Sequence, residues 1–415
     1  MYKLKFLLKG ENMEYLVTAP IKDNIYYIGT NDRQTEKFEG MWPLPNGVAY
    51  NSFLIKGEKN IIVDLVKINT ISVYIEKIKE ILGDEKVDYI IMNHLEPDHS
   101  SSVPELIDLY PDVEIIVSPK AVPMLKNFYG VTENVRVVKD GEHLKLGDRE
   151  FDFYLTPMVH WPESMVTYEK ASKVLFSQDI FGGFGTLNGG IFDDQIQFDD
   201  HYKEEAARYF INIVGKYAKQ ALKALERLKD LEISTICTVH GPIWRKDPKR
   251  IVDFYISLAK QETVKGCVVI YGSMYGNTER MAEAVAKGLV RGGLNDVKIR
   301  DVAKTPLSYL LTDTWRYRGV ILGSCSYDNS LFPPMNFLLT EISHQRMKNN
   351  FWAIFGSYSW SGGALKNLKK YMEDGKYNVL EHQPEIQGAA TREELEDLIN
   401  LGKEMAAKIL ESEEE

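Results

Sequence analysis

The chain has 415 residues, 44% hydrophobic and 27% charged, with 50 basic against 60 acidic side chains and a net charge of -10. That length exceeds what one ordinary core fills, so two domains are expected. The acidic balance, ending in ESEEE, argues against nucleic acid or an anionic membrane as a partner. No apolar run approaches the roughly 20 residues of a membrane-spanning helix. The opening MYKLKFLLKGENMEYL carries an apolar patch too short for a signal peptide, and Met13 is a second candidate start. Cys237, Cys267 and Cys325 form no CxxC pair, which excludes a disulfide scaffold and a Cys-ligated iron or zinc module and points to a reducing cytoplasm.

From about residue 14 to 240, short apolar segments alternate with turns, and strands are expected at 52–55, 61–65, 88–93, 114–117, 151–156, 173–177 and 233–239. One long amphipathic helix is expected through HYKEEAARYFINIVGKYAKQALKALERLKDLEI, where apolar residues recur every three or four positions. GPIWRKDPKR and a helical stretch, IVDFYISLAKQ, follow, and the pattern then changes. The domain boundary is expected within 248–265, dividing the chain into 1–255 and 256–415. Beyond it the pattern predicts strand 267–271, helix 278–291, strands 296–301 and 318–323, helix 334–345, strand 350–356, and helices 363–373 and 392–411. This alternation implies a parallel, doubly wound α/β sheet with ligands at the strand C-termini.

The segment NHLEPDHSSSVPEL places His94, Glu96, Asp98 and His99 within six residues after an apolar strand. Ser102 with Glu105 reads as a capping box, and Pro104 suits the first turn of the helix that follows. Residues two apart in extended chain point the same way, so His94 and Glu96 are expected to share one metal. Pro97 turns the chain, and Asp98 with His99 faces a second. His160, Asp179 and His240 each lie just past an expected strand. Four imidazoles and three carboxylates give each metal two histidines and one carboxylate, with the seventh ligand shared. His143, His201, His344 and His382 stand in polar or helical surroundings and are read as structural.

HxExDH with spaced His, Asp and His resembles the metallo-β-lactamase fold in its flavodiiron variant. Hydrolases of that fold usually carry HxHxDH, and Glu96 in place of the second histidine favours a harder, redox-active metal. The resemblance implies that His94, Glu96 and His160 hold one iron, that Asp98, His99 and His240 hold the other, and that Asp179 bridges them. Some members carry a histidine in the early loop, where EKFEGMWPLPNGVAYNS places Glu39. Trp42, Trp161 and Phe184 are candidate pocket residues, with plain core packing as the alternative.

A second cluster is GSMYGNTERM, between the strand CVVIY and a helix. It lacks GK[ST] and GxGxxG, and its S-x-x-G-N-T spacing is similar to the phosphate loop of flavodoxins, at a helix N-terminus. GSCSYDNS and FGSYSWSGGA, which also follow strands, look like the two flavodoxin loops that hold the isoalloxazine ring. The FMN contacts so implied are Ser273, Met274, Tyr275, Gly276, Asn277 and Thr278 in the first loop. Ser324, Cys325, Ser326, Tyr327, Asp328 and Asn329 form the second set, and Ser357, Tyr358, Ser359, Trp360, Gly362 and Gly363 the third.

The resemblance to flavodiiron proteins spans about residues 14–410. It implies an αββα metallo-β-lactamase-like domain followed by a flavodoxin-like domain. Electrons would pass from an external donor, such as rubredoxin or a reduced deazaflavin, through FMN to two irons that reduce dioxygen to water or nitric oxide to nitrous oxide. A head-to-tail homodimer, or a dimer of such dimers, is implied as well. Two alternatives are a dizinc hydrolase fused to a flavodoxin-like interaction module, against which Glu96 stands, and an electron carrier with a vestigial metal site, against which the full ligand set stands.

Overall fold

A computed structural model of the chain describes residues 17–348 and 350–412. Met1, Met13 and the last three glutamates lie outside the described residues. Strands rich in Ile and Val form the interior of the first sheet, in the order Ala19–Lys22, Ile25–Tyr27, Phe53–Ile55, Ile61–Val63, Tyr89–Ile91, Glu114–Val117 and Val135–Val137. Because side chains alternate across a strand, Ile61, Val63, Ile91 and Ile116 face one way and Ile62, Ile90 and Ile115 the other, all fully or nearly fully buried. Both faces are therefore covered. One packs on helices Ile71–Leu82, Val103–Leu109 and Ala121–Tyr129 through Tyr74, Ile78, Leu106 and Leu125.

The other face meets a second sheet, His143–Leu146, Arg149–Leu155, Met165–Glu169, Val174–Gln178 and Thr235–Thr238. Phe53 and Phe176 touch across this layer with ring centroids 5.4 Å apart. The outer face of the second sheet is covered by helices Ala218–Leu228 and Pro248–Lys260. The result is the expected αββα sandwich.

The C-terminal sheet is parallel along its main path, in the order Val297–Asp301, Val264–Gly272, Tyr317–Tyr327, Phe351–Tyr358 and Asn378–Val379. Helices Asn277–Arg291 and Arg392–Glu411 cover one face. They approach closely at Gly288 and Gly402, where a Cβ would come within 2.1 Å of the facing backbone. Leu307–Arg316, Pro333–Gln345 and Ala364–Asp374 cover the other.

Two expectations are corrected and one helix was not foreseen. The long helix is interrupted: π-type turns at Phe198–Tyr202 and Phe210–Val214 flank Lys203–Tyr209, and a tight turn at Gly215–Tyr217 precedes Ala218–Leu228. Glycine is a poor helix former, and Gly215 sits against the Trp315 indole. Helix Leu307–Arg316 escaped the periodicity reading because polar Ser308, Thr312, Asp313 and Thr314 are buried in it beside its apolar residues, as it packs on the sheet and on the N-terminal unit at once. Ser102 and Glu105 form no capping box: the Ser102 hydroxyl donates to the Val66 carbonyl at 2.8 Å, while Pro104 does occupy the first turn.

The two units share a polar and aromatic seam. The Arg208 guanidinium, buried, pairs with Glu205 at 2.7 Å and donates to the Pro43 carbonyl at 2.9 Å and to Ser308 at 3.3 Å. It lies over the rings of Phe184 and Tyr309. Trp315 donates its indole N–H to the Leu258 carbonyl at 3.0 Å. Removing one member of a buried pair costs about 3–5 kcal/mol, so Arg208→Ala is expected to lower the urea midpoint followed by tryptophan fluorescence and circular dichroism. An unchanged midpoint would show that the seam does not depend on this residue.

Candidate metal centre

Loops at the carboxyl ends of strands from both sheets converge on one buried point. His94 and Glu96 follow Tyr89–Ile91, Asp98 and His99 lie in the short helix Pro97–Ser100, Asp179 follows Val174–Gln178 directly, and His240 follows Thr235–Thr238. His160 lies in the loop after Arg149–Leu155. Two groups result: His94, Glu96, His160 and Asp179 in one, and Asp98, His99 and His240 in the other.

Asp179 faces both groups. Its Oδ2 lies 3.1 Å from His94 Nε2 and 3.3 Å from His160 Nε2, and Glu96 Oε2 is 3.3 Å and 3.0 Å from the same two nitrogens. Its Oδ1 lies 3.3 Å from His99 Nε2 and 3.5 Å from His240 Nε2, which are themselves 3.1 Å apart. Asp98 Oδ2 sits 3.3 Å and 3.4 Å from that second pair. Imidazole nitrogens this close, with carboxylate oxygens between them, share a cation more readily than a proton.

Electrostatics favours the same conclusion. Burial alone raises a carboxyl pKa, yet His94, His160 and His99 outweigh it and hold Asp179 well below the usual range. Burial raises Glu96 too, and His160 and His94 more than reverse it. Burial lowers His160, but Asp179 and Glu96 carry it up to about 9. The pocket therefore demands positive charge, which protons or divalent cations can supply. Asp98 Oδ1 and Oδ2, Asp179 Oδ2 and His160 Nε2 are buried without hydrogen-bond partners, as metal-ligating atoms would be.

The surrounding network aims these side chains. His94 Nδ1 donates to Glu163 Oε1 at 2.8 Å and His240 Nδ1 to the Ala49 carbonyl at 2.7 Å, leaving each Nε2 free to ligate. The Tyr209 hydroxyl donates to Asp179 Oδ1 at 2.7 Å. Gln178 accepts from the Asp179 amide and donates to the Val159 carbonyl, both at 2.6 Å, so it joins two ligand loops. The Asn51 amide donates to the carbonyls of Thr238 and Gly241, which flank His240. Asp64, whose carboxyl burial pushes up to about 6, accepts from the Asn93 backbone at 2.7 Å and its side chain at 2.9 Å. Thr167 donates to the same Asn93 at 2.6 Å.

Aromatic rings close the pocket: Phe38 and Tyr50 pack on His240, and Trp161 packs edge-on to His94 at 5.3 Å. Glu39 sits on an exposed turn, but its carboxylate reaches the pocket mouth. Desolvation there, reinforced by Glu96, pushes it up to about 7, and the Trp42 indole N–H donates to it at 2.9 Å. Trp42 and Phe184 are buried core residues, and of the three candidate aromatics only Trp161 touches the candidate ligands.

The second candidate site lies on the C-terminal rim of the parallel sheet. Register pairs Gly272 with Ser324, Ser324 with Gly356 and Cys325 with Ser357, so the three loops emerge side by side. Gly276, at φ 92°, opens helix Asn277–Arg291, and its amide donates to Ser273 Oγ at 3.0 Å. The buried hydroxyls of Thr278 and Ser357 lie 2.9 Å apart, joining the first loop to the third. The Ala364 amide donates to Ser326, and a Cβ on Gly363 would collide with the Asn329 carbonyl at 2.2 Å. Tyr275 and Trp360 are 93% and 89% exposed, far more than ring burial in a finished core allows. Cys325 is buried, and the Met274 backbone of the first loop hydrogen-bonds its thiol.

Residues 48–241 match the ODP family beta lactamase model, and residues 269–402 match the flavodoxin model. A nitric oxide reductase of Moorella thermoacetica is 34% identical over 394 residues, covering 94% of this chain and 98% of that protein. The chain belongs to the flavodiiron protein family. Among solved structures, the rubredoxin oxygen:oxidoreductase of Desulfovibrio gigas superposes with a TM-score of 0.90 at 30% identity, over 95% of this chain and 98% of that one. The flavodiiron protein of Giardia intestinalis gives 0.90 at 27% identity, over 96% and 98%.

In this flavodiiron protein all seven sequence-derived metal candidates come together, whereas His143, His201, His344 and His382 lie elsewhere. The sequence reading missed Glu163, Asp64, Asn93 and Tyr209. Only Glu163 carried a local signal, as the carboxylate in HWPES three residues after His160. Asn93→Ala would strip Asp64 of one donor and free the Thr167 hydroxyl, at a cost of about 1–3 kcal/mol. A lower melting temperature and roughly tenfold weaker metal retention are expected, and unchanged values in both would remove Asn93 from the supporting network.

Proposed function

We infer that this flavodiiron protein is an oxidoreductase in which electrons pass from an external donor through FMN to a non-haem diiron centre, reducing nitric oxide to nitrous oxide or dioxygen to water. The observation that carries the reading is Asp179, whose two oxygens face two separate groups of ligand side chains, together with Glu96 at a position where hydrolases of this fold use histidine. The Moorella relative is named a nitric oxide reductase and the Desulfovibrio neighbour a rubredoxin oxygen:oxidoreductase. These names support both substrates and a rubredoxin-type donor, with a reduced deazaflavin as a second candidate donor.

On this reading His94, Glu96 and His160 hold one iron, Asp98, His99 and His240 hold the other, and Asp179 bridges. Ser273–Thr278 take the FMN phosphate, and the loops Ser324–Asn329 and Ser357–Gly363 take the ring. When bound, FMN supplies one- and two-electron transfer and the iron pair supplies the site where the diatomic substrate is reduced. The protein's part is to aim the ligands, to shield the pocket with Phe38, Tyr50 and Trp161, and to place the Glu39 carboxylate at its mouth.

The same proposal divides the chain into a metal-bearing unit over 1–255 and a flavin-bearing unit over 256–415, with helix Pro248–Lys260 spanning the junction. It pairs subunits head to tail, as a dimer or a dimer of dimers, so that the flavin of one meets the irons of the other. The exposed Tyr275 and Trp360 around the flavin loops support such a contact. A cytoplasmic location fits the three buried free cysteines and, among the described residues, the lack of any helix long and apolar enough to cross a membrane.

Metal and flavin analysis of protein made in iron-rich medium tests the reading: two irons and one FMN per chain are expected. Two zincs retained despite iron supply would favour the dizinc hydrolase instead. Asp179→Ala is expected to lose metal and keep FMN. Thr278→Ala, which removes the hydroxyl paired with Ser357, is expected to weaken FMN roughly tenfold and leave the iron in place. If either variant emptied both sites, the two-site reading would fail.

A further inference from the structure

The two metal positions have different surroundings. Behind His94 stands a carboxylate: Glu163 Oε1 accepts from His94 Nδ1 at 2.8 Å and from the Leu95 amide at 3.0 Å. The Glu163 side chain is 1% exposed, its ion-pair partner among the described residues is His94, and its Oε2 is buried without a hydrogen-bond partner. Its negative charge is thus delivered to one imidazole and, through that ring, to whatever the ring ligates.

The other position lacks this. His240 Nδ1 donates to a neutral acceptor, the Ala49 carbonyl, at 2.7 Å, and His99 Nδ1 is buried without a partner. The bridging carboxylate is lopsided in the same sense. Asp179 Oδ1, which faces His99 and His240, also accepts the Tyr209 hydroxyl at 2.7 Å, whereas Oδ2, which faces His94 and His160, has no donor. A carboxylate behind an imidazole makes the ring a stronger ligand. A hydroxyl bonded to a carboxylate oxygen withdraws electron density from it. Both effects favour the His94 side.

We propose that Glu163 makes the two positions unequal, so that the His94–Glu96–His160 position holds its metal more tightly than the Asp98–His99–His240 position. The inference rests on the diiron reading above and names Glu163 as a positioning residue acting through His94. Glu163→Gln keeps an oxygen that can accept from His94 Nδ1 and removes the charge. Glu163→Ala removes both.

The test starts from the iron-loaded protein. A chelator is applied until half the iron has gone, and anomalous scattering at the iron edge locates what remains. The wild type is expected to retain iron at the His94 position. In Glu163→Gln, retention there falls by roughly 10–100-fold, and the first one-electron potential of the centre rises because less negative charge supports the oxidised form. The proposal is overturned if the wild type empties both positions together or the His94 position first. It is also overturned if Glu163→Gln matches the wild type while only Glu163→Ala loses metal, since Glu163 would then merely orient the ring. Should neither variant fold, the half-depleted wild type still decides whether the positions differ. Iron absent from the fully loaded protein would instead refute the diiron reading.

Discussion

Asp179 is a fully buried carboxylate with two imidazoles facing each of its oxygens, and most of the N-terminal unit can be read as the apparatus that keeps it so. An ionised carboxylate in such a place is costly unless positive charge surrounds it. Four histidines from three strand-end segments meet that need, and those segments come from both sheets. Neither sheet alone could supply them, because strand ends from a single sheet lie along one line, whereas facing sheets bring two lines of loops to a common rim. The sandwich is therefore a condition for the site.

The same constraint explains the polar residues that run through an otherwise apolar interior. Gln178 joins the Asp179 turn to the loop that carries His160, Asn51 holds the loop that carries His240, and Asp64 with Asn93 holds the segment that enters His94. Each makes hydrogen bonds that a hydrophobic residue could not, so each fixes direction at some cost in packing. The aromatic rings of Phe38, Tyr50 and Trp161 do the complementary work of lowering the local dielectric around the imidazoles. Charge pairing inside the pocket is strengthened by that exclusion of water.

The flavin-bearing unit is built on a different rule. Three loops follow adjacent parallel strands, and register sets Gly272, Ser324 and Gly356 side by side at one rim. Helix Leu307–Arg316 packs against both units, and Arg208 and Asn212 stitch the seam with bonds to the Ser308 hydroxyl and carbonyl. The exposed Tyr275 and Trp360 face away from that apolar economy, as residues awaiting a ligand or a partner would.

The sequence by itself determined what could be read from local spacing. Chemistry concentrated in short motifs after apolar strands picked out the seven side chains that gather in two groups and the three loops that lie side by side on the C-terminal rim, because residues at strand ends keep their types together in the chain. Tertiary structure alone decided the rest. Tyr209 lies 30 residues from Asp179 in a helix broken by π-type turns, and Ala49 contributes only a carbonyl to His240 across 191 residues. Helix Leu307–Arg316 was missed because its buried faces carry polar Ser308, Thr312, Asp313 and Thr314 as well as apolar residues. Ser102 read as a helix cap but spends its hydroxyl on Val66. Periodicity reports which residues avoid water; a hydrogen bond between distant segments depends on where the fold brings them, and no local pattern records that.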